Sequence, residues 1–351
     1  MSNTTNQPHI GIAGAGLAGR LLAWRLALSG CQVSLFDAKR RDDLTSASQT
    51  AAAMLSPLAE LAASDEAVFE LGQRSLALWP QYLAQLSTPV YFRTDGTLVV
   101  AHPQDGASLE HFSRLLHHKL PAACKAQVQQ LNTTELAQLE PVLAGRFSGG
   151  LYLAGEGQLA NDQLMDALAV ELDRLGVQWF EAVAVDLCAQ HAIVSGANEY
   201  VFDAVVDARG VGSQSLPTLR GVRGEVLRVQ CQGVTLQRPV RLMHPRYQLY
   251  VAPRPNGEFV VGATELESED AGPVTVRSLL ELGSSLYSLH PAFGEARVLS
   301  MRAALRPALD DHRPTVEQRD GVWHINGLYR HGYLCAPALV KDLQGQLLHG
   351  D

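Results

Sequence analysis

The chain has 351 residues, 46% hydrophobic and 18% charged, an ordinary globular composition with room for about two domains. A net charge of -8 and a pI near 5.8 leave no broad basic face for nucleic acid. Cys31, Cys124, Cys188, Cys231 and Cys335 are scattered without a CxxC pair or a nearby histidine spacing for zinc. No metal site is therefore expected, and the thiols fit a reducing compartment. The amino-terminal residues lack a basic stretch followed by an apolar one, and no run approaches a membrane span, so the expected location is the cytoplasm.

The first unit, HIGIAGAGLAGRLLAWRLALSGCQVSLFDAKRR, predicts strand, turn, helix, strand. His9 to Ala13 is a short buried strand, Gly14-Ala-Gly16-Leu-Ala-Gly19 the turn, and Val33 to Phe36 the next strand, ending at Asp37. This is a complete βαβ dinucleotide-binding unit. Gly14 permits the turn, Gly16 lets backbone approach a pyrophosphate, and Gly19 lets helix pack on strand. The pyrophosphate then faces the N–H groups of the helix start, with Leu17 and Ala18 beneath it. Asp37, eighteen residues after Gly19, stands where a ribose-binding acid is expected, with Ala38 beside it.

SASQTAAAMLSPLAE (46–60) follows, its Thr50, Ala51, Ala52 and Ala53 small enough for close approach to a flat ligand. A simple alanine-rich helix start is the alternative. A helical stretch spans about Glu66 to Leu86, and strands are predicted over Val90 to Val100 and Phe147 to Leu153 with helix between them. LANDQLMDALAVELDRLGVQ (159–178) predicts an amphipathic helix capped by Asn161 or Asp162 and stopped at Gly176. Strands at Val183 to Leu187 and Ala192 to Val194 precede FDAVVDARGVGSQS, a strand ending in a glycine turn at Ala208 to Gly210, a second place to touch the dinucleotide. Residues 223–230, 246–267 and 296–307 predict sheet, with Pro255-Asn256-Gly257 a hairpin turn. Near the end, NGLYRHGYLCAP places Arg330 in an apolar, glycine-flanked run. A guanidinium drawn into such a segment calls for an anion, either a ligand or a structural partner.

In order along the chain, GAGLAG with Asp37, TAAAMLSPLAE, the 159–176 helix, RGE, YVAPRPNGEFVVGAT, LRP and GLYRHGYLCAP resemble the FAD-dependent amino-acid and amine oxidases of the D-amino-acid oxidase group. Within that group the likeness is greatest to the glycine oxidases of thiamine biosynthesis. The resemblance implies an α/β (α+β) fold, with a Rossmann-like FAD-binding domain of 1–85, 145–220 and 310–351. Interleaved with it is an antiparallel-sheet substrate domain of 86–144 and 221–309. It implies oxidation of a C–N bond in a small amino acid or secondary amine by hydride transfer to flavin N5, the imine then being hydrolysed. Molecular oxygen or another acceptor takes the electrons, and relatives of this kind form homo-oligomers.

Residue by residue, the resemblance places Arg306 on the substrate carboxylate and Arg330 close to the same pocket and the flavin. A guanidinium fork matches a carboxylate bidentately. It implies FAD contacts at Val183 and from Arg330 through His331, Gly332, Tyr333 and Leu334, with a terminal helix opening at Ala336-Pro337 toward the flavin. Tyr250 and Met54 match pocket positions, although either residue also suits a core. Ala303-Ala304-Leu305 holds no cysteine for a covalent link, so FAD is expected to be non-covalent. No dedicated acid or base is required, and His244, His324 and His331 are assigned none.

Three positions depart from the family pattern: Glu265 in place of an apolar pocket residue, Leu328 in place of histidine, and Pro314-Thr-Val-Glu317 in place of PxIG. Glu265 would pair with Arg306 or Arg330, receive a cationic group of a larger substrate, or point into solvent. Two other readings stand beside the amine oxidase. One is a flavoprotein acting on a peptide or protein. The other is an NAD(P)H-dependent monooxygenase or reductase, for which no second full GxGxxG unit is seen.

Overall fold

The computed structural model describes residues 7–188, 192–244 and 249–350. His9–Ala13 lies within a six-stranded sheet, running parallel to Gln32–Phe36 on one side and Ala204–Asp207 on the other. Gln178–Phe180 extends that sheet beyond Gln32–Phe36, and Val322–Asn326 and then antiparallel Thr315–Arg319 extend the opposite edge. The inner strands are apolar because they are covered on both faces, as a parallel sheet requires. The helix Leu17–Leu28 is buried nearly all round, with Leu21, Leu22, Trp24 and Leu26 in the main core beside Leu339 and Val340 of the terminal helix Gly332–His349.

A second, eight-stranded sheet runs in the order Arg297–Ala308, Arg220–Gln230, Glu258–Gly262, Leu249–Arg254, Val240–Met243, Thr97–Ala101, Gly149–Leu153, Val128–Asn132. All its pairs are antiparallel except Val240–Met243 with Thr97–Ala101. The Pro255-Asn256-Gly257 turn closes the expected hairpin, Asn256 and Gly257 both in the left-handed region at φ 63° and 70°. The helix Val276–Leu289 covers one face with Leu282, Leu286 and Leu289, its amino end capped by Thr275.

The structure corrects several local expectations. The strand expected over Val90 to Val100 is two strands, Phe92–Arg93 and Thr97–Ala101, in different sheets, broken at Gly96 with φ 81°. Gly149–Leu153 pairs on both sides within the eight-stranded sheet, although the expected division puts it with the cofactor unit. Neither Asn161 nor Asp162 caps the helix Asn161–Arg174, whose cap position is Ala160. Their side chains make tertiary links instead. Asn161 Nδ2 donates to the carbonyls of Ser48 and Gln49 at 3.1 and 3.0 Å, and both residues accept from Arg228.

The terminal helix starts at Gly332, not at Pro337, which sits inside it. Proline has no N–H to give the carbonyl one turn back. That carbonyl, of Tyr333, accepts instead from Trp79 Nε1 at 2.9 Å, so the helix continues through the proline with its backbone satisfied. Among the described residues no helix is long and apolar enough to cross a membrane.

Candidate active site

At the end of the first strand, Gly14 adopts φ 103° and donates to Phe36 O at 2.7 Å. A Cβ at Gly14 would lie 2.5 Å from Ala208 O, and one at Gly19 would lie 1.8 Å from Gly14 O. The two glycine turns, after His9–Ala13 and after Ala204–Asp207, therefore touch. Gly16 begins the following helix without a side-chain cap, and no acidic residue occupies the first turn. Its free N–H groups and dipole thus face outward uncompensated. Asp37 accepts from Ala15 N at 2.6 Å and from Lys39 N at 2.8 Å, which fixes its carboxylate beside the turn with lone pairs to spare.

These groups open into a cavity of about 1750 Å³ between the carboxyl ends of the parallel strands and one face of the second sheet. The 14, 16–18 turn, Asp37 and Ala38, Thr50 through Met54, Val183, Ala208 and Gly210 line it. So do Tyr250, Glu265, Arg306 and the run Arg330, His331, Gly332, Tyr333, Leu334. Gly19 is the exception among the expected site residues, lying behind the turn as a packing glycine. A second uncapped helix start, at Gly332, faces the same cavity, and a Cβ there would meet nothing within 4 Å. Tyr250 and Met54 both line the cavity and pack on the small cluster of Ala52, Val226, Ala252 and Val260.

The far end of the cavity is charged. Arg330 Nε lies 3.1 Å from Glu60 Oε2 and its Nη1 lies 3.2 Å from Glu265 Oε2. Glu60 also meets Arg241 at 2.9 Å and faces His331 Nδ1 at 3.5 Å. Against the penalty of burial, Arg330, Arg241 and His331 hold the Glu60 carboxyl down at about 2. Burial pulls His331 down to about 4, so it is neutral at ordinary pH. Glu265 is half-exposed, and despite its burial, Tyr329 and Arg330 hold it ionised below the usual carboxylate range. Arg306 differs. It forms no ion pair among the described residues, and its Nη1 is buried without a hydrogen-bond partner. Its guanidinium lies against Gly224, where a Cβ would come within 2.3 Å of it.

A family model for FAD-dependent oxidoreductases, DAO, matches residues 9–343. This chain belongs to that family. A DAO-family relative from Rhizobium etli, described as a thiamine biosynthesis oxidoreductase, ThiO, is 40% identical over 339 residues, covering 96% of this chain and 95% of its own. Glycine oxidase of Geobacillus kaustophilus is 25% identical over 358 residues, 97% of this chain and 93% of its own. The crystal structure of Geobacillus kaustophilus glycine oxidase shares the fold with a TM-score of 0.83 at 23% identity, covering 97% and 95% of the two chains. That of iminodiacetate oxidase from Chelativorans sp. BNC1 does so at 0.82 and 21%, also over 97% and 95%. The protein is an FAD-dependent oxidoreductase, as the resemblance implied.

The DAO-family cofactor fits the residues present. The cavity holds about 1750 Å³, two uncapped helix starts face it, and Thr50 Oγ1 is buried beside it without a partner. Behind Thr50, the small-residue segment is held from the second sheet by Arg254. This residue donates to Ala52 O at 2.6 Å, Leu159 O at 2.9 Å and Gln158 Oε1 at 2.5 Å. Burial lowers Arg254 to about 10, still charged at neutral pH. No cysteine lines the cavity among the described residues.

The residues missed in the sequence are Glu60, Arg241 and Arg254. Glu60 had a signal. It is the one carboxylate in SASQTAAAMLSPLAE, an otherwise small and apolar stretch, and Arg330 was in want of an anion. Arg241 and Arg254 sit at strand positions that look like ordinary alternation.

Proposed function

We propose that this FAD-dependent oxidoreductase oxidises the C–N bond of a small amino acid or secondary amine, and that Arg306 receives the substrate carboxylate. The observation that carries the reading is the buried, unpartnered Nη1 of Arg306 at an end of the cavity where Arg241 and Arg330 are each ion-paired. A buried guanidinium donor without a partner is costly, and a carboxylate matches its fork.

When bound, FAD supplies the two-electron acceptor for the hydride leaving the carbon next to nitrogen. The turn at 14–18 and the Leu17–Leu28 helix start would hold its pyrophosphate, Asp37 its ribose, and Thr50 to Ala53 and Gly332 its ring. The uncapped start of the terminal helix would favour negative charge on the ring. Arg306 would anchor the substrate by its carboxylate, and Tyr250 and Met54 would close the apolar side against water. No side chain need take a proton if the amine binds neutral. The imine is hydrolysed by water. Oxygen or another acceptor as second partner, non-covalent attachment, a cytoplasmic location and a homo-oligomer belong to the same reading.

The deciding experiment is an anaerobic titration of the yellow holoprotein with glycine, sarcosine, the proline isomers and a D-amino-acid set. Bleaching by any of them is expected. A flavin that none of them reduces, but NAD(P)H does, would favour the monooxygenase reading instead.

A further inference from the structure

The inference here rests on the reaction just proposed and concerns how many carboxylates the substrate carries. Three guanidinium groups, Arg241, Arg306 and Arg330, line the charged end of the cavity. Two carboxylates, Glu60 and Glu265, line it with them, one fewer than the guanidinium groups, and Glu156 behind Arg241 is pushed by burial toward its neutral form, to about 7, which leaves positive charge in excess. That excess sits on Arg306. Arg330 is engaged on both sides, Nε with Glu60 and Nη1 with Glu265.

Glu265 is held at that position by its backbone. Thr264 N donates to Glu225 O at 3.2 Å, and Glu225 N donates to Thr264 Oγ1 at 2.9 Å. Leu266 and Arg223 exchange two backbone hydrogen bonds of 2.9 Å. Beyond them, Arg223, only 2% exposed, pairs with Glu225 at 2.6 Å. It also donates to the carbonyls of Asp270, Gly272 and Pro273 at 2.6, 2.8 and 2.6 Å. The segment from 264 to 273 is thus fastened at both ends to the strand Arg220–Gln230, and the Glu265 side chain is presented to Arg330 from a fixed base.

We propose that Glu265 is a specificity-determining residue. By occupying Arg330 it restricts the site to substrates with one carboxylate and rejects those with two. One carboxylate on Arg306 neutralises the site. A second finds Arg330 taken and meets the negative charge of Glu265 directly. Rejection by an unmatched charge discriminates more strongly than any gain from added contacts in an apolar pocket. Removing the Glu265 charge frees Nη1 of Arg330 and leaves its Glu60 contact in place.

The test uses matched pairs on the holoenzyme. Sarcosine and iminodiacetate differ by one carboxylate, as do their non-reducing counterparts methoxyacetate and diglycolate. Binding of the latter two is read from the visible spectrum of bound FAD, and kcat/KM is measured for the two amines. The wild type is expected to prefer the monocarboxylate of each pair. In Glu265→Gln and Glu265→Met both preferences move toward the dicarboxylate by about tenfold or more. Using two replacements guards against one of them failing to fold, and retained FAD absorbance reports on each.

A ratio unchanged within about twofold in an FAD-loaded variant overturns the proposal, as does binding of neither acid by the wild type. The two readings fail separately. If no amine reduces the flavin yet the acid ratio shifts, the proposed reaction falls and the charge restriction stands. If amines reduce it and neither ratio moves, the restriction falls and the reaction stands.

Discussion

Replacing Arg306 by methionine keeps an unbranched stem, two atoms shorter, and removes the charge. In the free protein this costs little, because among the described residues Arg306 has no ion pair to lose and its Nη1 is already buried without a partner. Removing an unsatisfied buried donor relieves a penalty of about 1–3 kcal/mol, so the melting temperature should hold or rise. In the substrate complex the cost is large. A charge-assisted hydrogen bond contributes about 1.5–3 kcal/mol, and a fork engages two. Because the side chain is only partly buried, about 3–4 kcal/mol is the expected sum. At 1.36 kcal/mol per factor of ten, kcat/KM should fall by about 100- to 1000-fold. The assay is steady-state oxidation of whichever amino acid bleaches the flavin, with FAD content and thermal unfolding measured on the same preparation. An unfolding temperature that drops while KM stays put would refute the reasoning, since it would mean that Arg306 holds the fold and not the substrate.

Gly224→Ala should reproduce much of that loss without touching the charge, because the new Cβ would sit within 2.3 Å of the Arg306 guanidinium and push it aside; KM reports it. Glu156, buried beneath the charged end, is raised by burial from 4.5 to about 7. Its protonated form favours the fold in full below pH 4.5, and that contribution, about 3 kcal/mol, declines as pH rises and is gone above about 7. Urea midpoints at pH 5 and pH 8 should therefore differ more in the wild type than in Glu156→Gln. Trp79→Phe leaves Tyr333 O unsatisfied and should cost about 1–3 kcal/mol, whereas in a Pro337→Ala background the restored N–H takes over that carbonyl and the cost should shrink.

The legible parts of this chain are those whose physics is local. The turn Gly14 to Gly19 declares itself through its spacing and the left-handed φ of Gly14, and Gly19 meets Gly14 five residues before it. The hairpin at Pro255-Asn256-Gly257 does so because left-handed φ values are needed at successive positions. Other expectations failed where a local pattern served a distant end. Asn161 looks like a cap by its place before a helix, yet its amide is committed to Ser48 and Gln49, more than a hundred residues earlier. Pro337 looks like a helix start, but Trp79 supplies the donor that lets the helix begin a turn and a half sooner.

The two arginines carry this furthest. Arg306 and Arg330 look alike in sequence, each a cation in an apolar run ahead of a proline or a glycine. Their difference lies in what the rest of the chain brings to them. Glu60 arrives from a five-residue helix far upstream and Glu265 from a segment fastened to the second sheet, and both reach Arg330. Among the described residues no carboxylate is ion-paired with Arg306, although Glu265 lies within reach of its charge. A cation whose partners are in the chain is structural in the free protein, and one left unpartnered in the same cavity is, on the proposed reading, the group that a ligand satisfies. Which of the two is which depends on long-range pairing, so the side-chain chemistry around either arginine does not tell them apart, and only the family resemblance had set Arg306 on the carboxylate.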